Sequence, residues 1–501
     1  MSSCFFPPLR RPAVWALACL FVLANQAFAA APTAVNFGTV PLGQTSPAQT
    51  VTVNFSQSGQ IAAIKAMLQG STGLDYSSTG GTCQLGSTYQ AGESCTVQVT
   101  FKPLAPGVRN GAIVLRNSAG ATIATAYLTG IGQGPLATFP GGTPVLAGYT
   151  NEYAYGWTID GAGNIYYLVH GSSQDVIHKL TPSGGFPFAW LPKQYTGSRL
   201  EAIDGAGNLF VTYQNQVIKV DASGVVSPLA AIVQDPYVPT FPIGGVAALG
   251  NGNLVVGGQS ADSRSAAYYT VKPDGTYSVQ GTLVDPIEGP SIYDIAIGPA
   301  GESYFGSFAT VYNSSSGRIC PIPNERGLAV DASGTLLTGT DTNQSDYLNP
   351  TANCASAVPV IDELPFYKPV VDAHGDIYVE SVALIPPVFP AVFKYTRTQI
   401  HGIVFASQGT ATSYGSFAIT NSGNAPLNLS GLHPTLSGSS AQSFNIEQTS
   451  CGQSLAPAAT CTISLSYTPS GTYSTLPASA SLILGLPNEQ RLVPLSGFPN
   501  Q

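Results

Sequence analysis

Six equivalent positions in the middle of the chain hold residues suited to gripping a polar ligand. They are Tyr155, Arg199, Gly245, Tyr293, Arg326 and Tyr367, each read as five residues before a recurring turn. Five of the six are Tyr or Arg. A guanidinium offers a planar fork for bidentate hydrogen bonds, and a phenol ring offers a face for stacking. Glu152, Glu201, Glu288, Glu325 and Glu363 fall in the same loops or adjacent strand starts. A rim of Tyr, Arg and Glu, with Glu201 foremost among the acids, fits sugars or peptide carboxylates. The alternative is that these side chains fill the space between the repeats and pair with one another.

Other chemistries find less support. The histidines are His170, His178, His374, His401 and His433. Only His170, at the end of a strand, is placed to face a central opening, and one imidazole makes a thin case for acid–base catalysis. A Gly-x-Ser-x-Gly nucleophile needs a strand–turn–helix elbow, and the chain offers no helix for one. No Gly-rich phosphate loop meets the same structural condition. Asp160, Asp204, Asp331 and Asp372 recur before Gly turns. Calcium ligation is conceivable, but the spacing does not fit an EF-hand loop, and a carboxylate there can accept local backbone N–H bonds. The sequence therefore implies no catalytic set, no metal site and no cofactor.

The elements that must position the rim are short strands. The repeats read Trp157-Thr-Ile-Asp-Gly-Ala-Gly-Asn-Ile-Tyr166, Ala202-Ile-Asp-Gly-Ala-Gly-Asn-Leu-Phe210, Val246-Ala-Ala-Leu-Gly-Asn-Gly-Asn-Leu-Val255, Ile295-Ala-Ile-Gly-Pro-Ala-Gly-Glu-Ser-Tyr304, Leu328-Ala-Val-Asp-Ala-Ser-Gly-Thr-Leu-Leu337 and Pro369-Val-Val-Asp-Ala-His-Gly-Asp-Ile-Tyr378. Apolar runs around a Gly turn, at a period of roughly 33–48 residues, imply blades of a propeller. The last blade runs out after its third strand, at Tyr395. Thr143-Pro-Val-Leu-Ala147 is expected to supply its fourth strand, closing the ring and hiding its edges. Closure brings both ends of the propeller together, so both flanking regions should hang from one side of the disc. The Asp-x-x-Gly-Asn turn followed by Ile or Leu and an aromatic resembles the NHL-repeat propellers over about residues 136–398.

The two flanks echo each other. Cys95-Thr-Val-Gln-Val-Thr-Phe101-Lys-Pro103 and Cys461-Thr-Ile-Ser-Leu-Ser-Tyr467-Thr-Pro469 each alternate apolar and polar residues, as half-buried strands do. Each region closes on Leu-Thr-Gly130 or Leu-Ser-Gly497. Together with Asn421-Ser-Gly-Asn-Ala-Pro-Leu427, this pattern resembles the choice-of-anchor D family, related to abnormal-spindle/hydin-type domains. The resemblance covers roughly residues 33–134 and 400–498. It implies two exported immunoglobulin-like sandwiches, which about a hundred residues of short strands also suggest.

The N-terminus reads as a secretory leader: Arg10 and Arg11, an apolar run from Ala13 to Ala24, and Ala27-Phe28-Ala29 as a small-x-small cleavage site. Six cysteines remain beyond it. An even number in an exported chain argues for disulfides rather than zinc, which favours closer ligand pairs. Sequence proximity pairs Cys83 with Cys95, Cys320 with Cys354 and Cys451 with Cys461. Only 9% of residues are charged, and the net charge of −8 includes both leader arginines. No basic stripe is present, so nucleic acid is a poor partner. No segment beyond the leader is long and apolar enough to span a bilayer.

The expected fold is all-β: a six-bladed β-propeller between two immunoglobulin-like β-sandwich domains. The divisions are a signal peptide at 1–30, a sandwich at 31–135, the propeller at 136–398 and a second sandwich at 399–501. The expected function is non-enzymatic binding or scaffolding outside the cytoplasm, in the periplasm, on the cell surface or in the medium. The partner would be a protein or a polar glycan or cell-wall ligand at the propeller face. The alternatives are a lyase- or lactonase-type propeller enzyme and a purely structural surface protein.

Overall fold

Strands dominate because apolar residues alternate nearly everywhere and Gly or Asp interrupts them at short intervals. A computed structural model describes residues 34–139, 145–149, 154–233, 243–259, 265–284, 292–307, 310–321, 325–340, 345–348, 358–361, 366–382, 390–469, 477–486 and 489–500. Among these the helical elements are two 3₁₀ turns, Lys193–Tyr195 and Ala441–Ser443. Ala62–Gln69, the nearest approach to a helical pattern in the sequence, contains the strand Ala63–Leu68. Its apolar residues serve two surfaces: Leu68 enters the front sandwich core, while Met67 packs with Ala206 of the propeller.

Six four-stranded antiparallel sheets form the middle of the chain. Their innermost strands are Ala154–Ile159, Arg199–Ile203, Ile243–Ala248, Asp294–Ile297, Glu325–Val330 and Phe366–Val371. We number the blades one to six in that order. Blade six completes itself with Val145–Tyr149, which pairs antiparallel with Pro390–Tyr395. Trp157 and Ile159 of blade one share a core with Tyr378 and Val392 of blade six, so the ring closes. The expected closing strand is therefore present, about two residues later than the sequence suggested.

Each blade turns from its first to its second strand at the repeated Gly motif. Gly163, Gly207, Gly252, Gly301, Gly334 and Gly375 all adopt positive φ at the same point of that turn, where a side chain would be strained. The Asp residues act as turn acceptors. Asp204 Oδ1 accepts the N–H groups of Ala206 at 2.9 Å and Asn208 at 2.8 Å, and Asp160, Asp331 and Asp372 repeat the arrangement. Blade four lacks the Asp. Glu302, across the turn, takes over by accepting the Ala300 N–H at 3.0 Å, and its carboxylate fills the space beside Gly298.

Two further bodies flank the ring. In front, a five-stranded and a three-stranded sheet enclose Val51, Val53, Val97, Val99 and Phe101. Behind, two four-stranded sheets enclose Phe405, Ile463, Leu465 and Leu482. Cys83–Cys95 and Cys451–Cys461 form disulfides that tie a loop to the start of a strand in each body. Cys354 lies outside the described residues, and with it the third expected pair; so does the leader at 1–30. Among the described residues no helix is long and apolar enough to cross a membrane.

Candidate functional site

A cavity of about 290 Å³ occupies the centre of the ring. Its two ends differ. At the hairpin end the front sandwich is seated directly on the blades. Gly161 N–H donates to Gln69 O at 3.1 Å, and Ala162 N–H donates to Ser71 Oγ at 3.1 Å. Gly70 and Gly207 meet so closely that a Cβ on either would overlap the other's backbone. Tyr127 donates its hydroxyl to Asp204 Oδ2 at 2.8 Å, and burial and that carboxylate push its pKa well above the usual phenol range. Arg109, paired with Asp75, donates to Ala373 O at 2.5 Å. The second sandwich joins at the same end: Arg397 bridges Asp331 of blade five and Ser422. Both flanks thus lie on one side of the disc, as ring closure requires.

The opposite end carries the candidate site. Four residues before each turn residue the inner strands hold Gly156, Leu200, Gly245, Asp294, Gly327 and Lys368. Odd blades contribute glycine, and even blades contribute a side chain. The glycines are required. A Cβ on Gly156 would lie 2.1 Å from Leu200 O, one on Gly245 3.0 Å from the Asp294 Cα, and one on Gly327 2.4 Å from the Lys368 Cα. At this level the inner strand of each odd blade lies directly against that of the next blade. Lys368 sits at φ 40°, a costly conformation for a residue with a Cβ.

That packing lets Lys368 reach from blade six to blade two. Its Nζ donates to Leu200 O at 3.4 Å, Glu201 O at 3.2 Å and Glu201 Oε2 at 3.4 Å. Glu201 is buried and also takes Arg199 Nε at 3.3 Å. Asp294 is buried with both oxygens accepting backbone N–H groups, from Ile295 and Leu328, each at 2.9 Å. Burial, reinforced by Glu201, raises its pKa against the pull of Lys368. Glu380, on the second strand of blade six, is raised to about 7 by burial, against the attraction of Lys368 and Arg199. Beside this cluster, Tyr155 stacks on His170 with ring centres 3.4 Å apart and planes 10° apart. His170 Nε2 lies 2.8 Å from Ser198 O. A carbonyl only accepts, so this nitrogen carries the proton and Nδ1 is the basic one. Asp175, fully buried, braces the same loop by accepting Gly197 N–H at 2.9 Å and Ser198 N–H at 3.0 Å. Among the described residues no group of three or more His, Cys, Asp or Glu could hold a metal ion.

Solved structures with similar folds are propellers of varied kind. Virginiamycin B lyase from Staphylococcus aureus aligns at 12% identity over 52% of this chain and 88% of its own, with a TM-score of 0.35. A gluconolactonase from Xanthomonas campestris aligns at 11% identity over 52% and 96%, TM-score 0.37. A nutrient-binding protein from Bacteroides thetaiotaomicron aligns at 11% identity over 71% and 97%, TM-score 0.35. At these values none assigns an activity or a ligand to this chain. No family model matches the chain. No curated protein matches its sequence.

The rim residues read from sequence divide into three groups. Tyr155, Arg199 and Tyr293 are exposed at this end, Tyr155 by 41% and Tyr293 by 46%, and the Arg199 side chain by 54%. Glu201 is buried beneath Arg199. Arg326 and Tyr367 occupy the matching stretches of their strands, with side chains outside the described part of the structure. The same holds for the Glu325 side chain, and Glu152, Glu288 and Glu363 lie outside the described residues altogether. Gly245 needs a correction. In blade three Leu249, not Gly250, makes the turn bonds that Asp160 makes in blade one, so the position equivalent to Tyr155 is Gly244. Sequence reasoning missed Asp294 and Lys368, which a count of four rather than five residues would have found. It also missed Glu380, which no periodic count marks.

Proposed function

We propose that this is an exported, non-enzymatic binding protein that takes a polar ligand at the end of its propeller opposite the front sandwich. The flanking sandwiches serve as supports on the far side. One observation carries the reading. Glu201, Asp294 and Lys368 line one end of the cavity from blades two, four and six, with Arg199 paired to Glu201 and Glu380 within the field of Lys368 and Arg199, while the front sandwich plugs the other end. The exposed Tyr155 and Tyr293 border that end. Convergent polar groups at the mouth of a concave site are what recognition of a small ligand needs. A lyase- or lactonase-type reaction is the second reading. It draws on the raised Glu380 carboxyl and the basic His170 Nδ1, groups that could exchange a proton with a bound molecule.

A thermal-shift screen of sugars, amino acids, peptides and divalent ions tests the proposal. A stabilising compound should lose its effect in Arg199→Ala and keep it in Tyr127→Phe, which alters only the plugged end. Retention in Arg199→Ala with loss in Tyr127→Phe places binding at the wrong end and overturns the reading. Turnover of a stabilising compound would move the protein to the enzyme class.

A further inference from the structure

The mouth's unused hydrogen-bonding capacity narrows the ligand class. Several charges there are already committed. Lys368 uses all three of its N–H groups on Leu200 O, Glu201 O and Glu201 Oε2. Asp294 is satisfied by two backbone N–H groups. Glu201 holds Arg199 and Lys368 together. Three groups remain free among the described residues. Arg199 bonds through Nε, leaving the four N–H donors of its two Nη atoms. Glu380 has no hydrogen bond or ion pair to a described residue, although it is largely buried and feels both Lys368 and Arg199. His170 donates through Nε2 to Ser198 O, leaving Nδ1 as an acceptor.

A ligand must therefore bring acceptors for Arg199 and donors for His170, with Glu380 able to take either role as its proton comes and goes. A carboxylate supplies acceptors alone and would lie against Glu201 and Glu380. An ammonium supplies donors alone, leaves the Arg199 fork unmatched and meets its positive charge. Vicinal hydroxyls supply both kinds on one small frame without adding charge. The rings nearby suit the same frame: Tyr155, stacked on His170, and Tyr293 across the opening present partly exposed faces to carbon-bound hydrogens. Resting on the proposed mouth site, we infer that the ligand is a neutral pyranose, bound by Arg199, Glu380 and His170, either as a free sugar or as the end unit of a glycan.

The test titrates the full chain calorimetrically with methyl glucoside, galactoside and mannoside and with N-acetylglucosamine. Glucuronate, galacturonate and glucosamine serve as charged counterparts, and neutral oligosaccharides distinguish a glycan end from a free sugar. The expected result is saturable binding of at least one neutral sugar, about ten-fold or more tighter than its charged counterpart, since a mismatched polar group is rejected strongly in a built site. Arg199→Ala and Glu380→Ala should each weaken it about ten-fold or more, with the circular dichroism spectrum unchanged. A charged counterpart binding more tightly, and losing affinity in the same two variants, overturns the ligand class and leaves the mouth intact. Saturable sugar binding unaffected by either variant overturns the mouth itself. No saturable binding of any neutral sugar also overturns the ligand class.

Discussion

The two ends of the channel are built from the same repeat and finish in opposite states. At the hairpin end, polar groups are matched across domains. The second oxygen of Asp204 takes Tyr127 from the front sandwich, and that of Asp331 takes Arg397 from the segment leading to the rear one. The two turn carboxylates that take no partner from a flanking domain are matched within their own blades: Asp160 takes Lys179, and Asp372 takes Lys394. At the mouth, Arg199, Glu380 and His170 keep free donors or acceptors, and tyrosines face solvent. A repeat that satisfies its own turn can lend one oxygen to a neighbouring domain. The spare polarity at the other end has no structural duty of this kind. Buried or half-buried groups without partners are costly to keep, which is why such groups mark functional sites.

The hardest way to break this contrast is at the plug. Asp75 is fully buried and pairs with Arg109 Nε at 2.5 Å, and Arg109 in turn holds Ala373 of blade six. Asp75→Ala leaves a buried guanidinium without its counter-charge. A loss of about 3–5 kcal/mol is expected, because removing one partner of a buried pair strands the other. Thermal or urea unfolding will read it, with front-sandwich peptides becoming accessible to protease before the blades. A change within about 0.5 kcal/mol, the usual range for a surface site, would show that the sandwich is not seated through this pair.

A smaller effect, opposite in sign, is expected at the mouth. Glu380 titrates near pH 7 in the folded protein and near its ordinary 4.5 when unfolded. Between those values the folded state binds more protons than the unfolded one. Stability therefore falls as pH rises through this window, and the full cost is present above pH 7. Glu380→Gln removes that cost. The variant and the parent should be equally stable below pH 4.5, and the variant should gain up to about 2–3 kcal/mol above pH 7. Denaturant melts at pH 4 and pH 8 measure the gap. An equal gap at both values would remove the assigned titration.

The fold was legible because each repeat carries its own punctuation. The Gly at positive φ recurs in all six turns, and four of them have the Asp that accepts their N–H groups. Ring closure followed from counting strands, since blade six ends at Tyr395 and a strand must come from elsewhere. The site was legible only in part. Tyr155, Arg199 and Tyr293 stood out by residue type. Lys368 and Asp294 hid at a level where Gly156, Gly245 and Gly327 alternate with side chains, a pattern that has meaning only once inner strands of neighbouring blades are seen to touch. Blade three was misaligned by one residue because Leu249 replaces the Asp that marks the turn elsewhere. Glu380 lies on a second strand, and its raised pKa comes from burial, which sequence spacing does not encode. The plugging of one end by Leu68, Gln69 and the loop at Arg109 belongs to domain docking, which no single repeat records.

The weakest perturbation separates the two ends most cleanly. Tyr293 starts no pairing that holds the ring: it precedes the strand Asp294–Ile297, is 46% exposed, and bonds through its backbone N–H to Gly306 O at 2.9 Å. Its side chain makes no hydrogen bond to a described residue. Truncation to Ala keeps the backbone bond and removes only the ring. The expected change in unfolding free energy is within about 0.5 kcal/mol, as at other exposed positions. If the ring belongs to a recognition surface, ligand affinity should fall in a variant whose melting curve overlays the parent. If instead Tyr293→Ala unfolds the protein as strongly as Asp75→Ala does, the ring is part of the structural packing and the mouth resembles the plugged end. An aromatic group kept half in water by a strand end, in a chain with only 9% charged residues, gains little from folding. On the proposed reading, its exposed ring belongs with Tyr155 to the surface that meets the ligand.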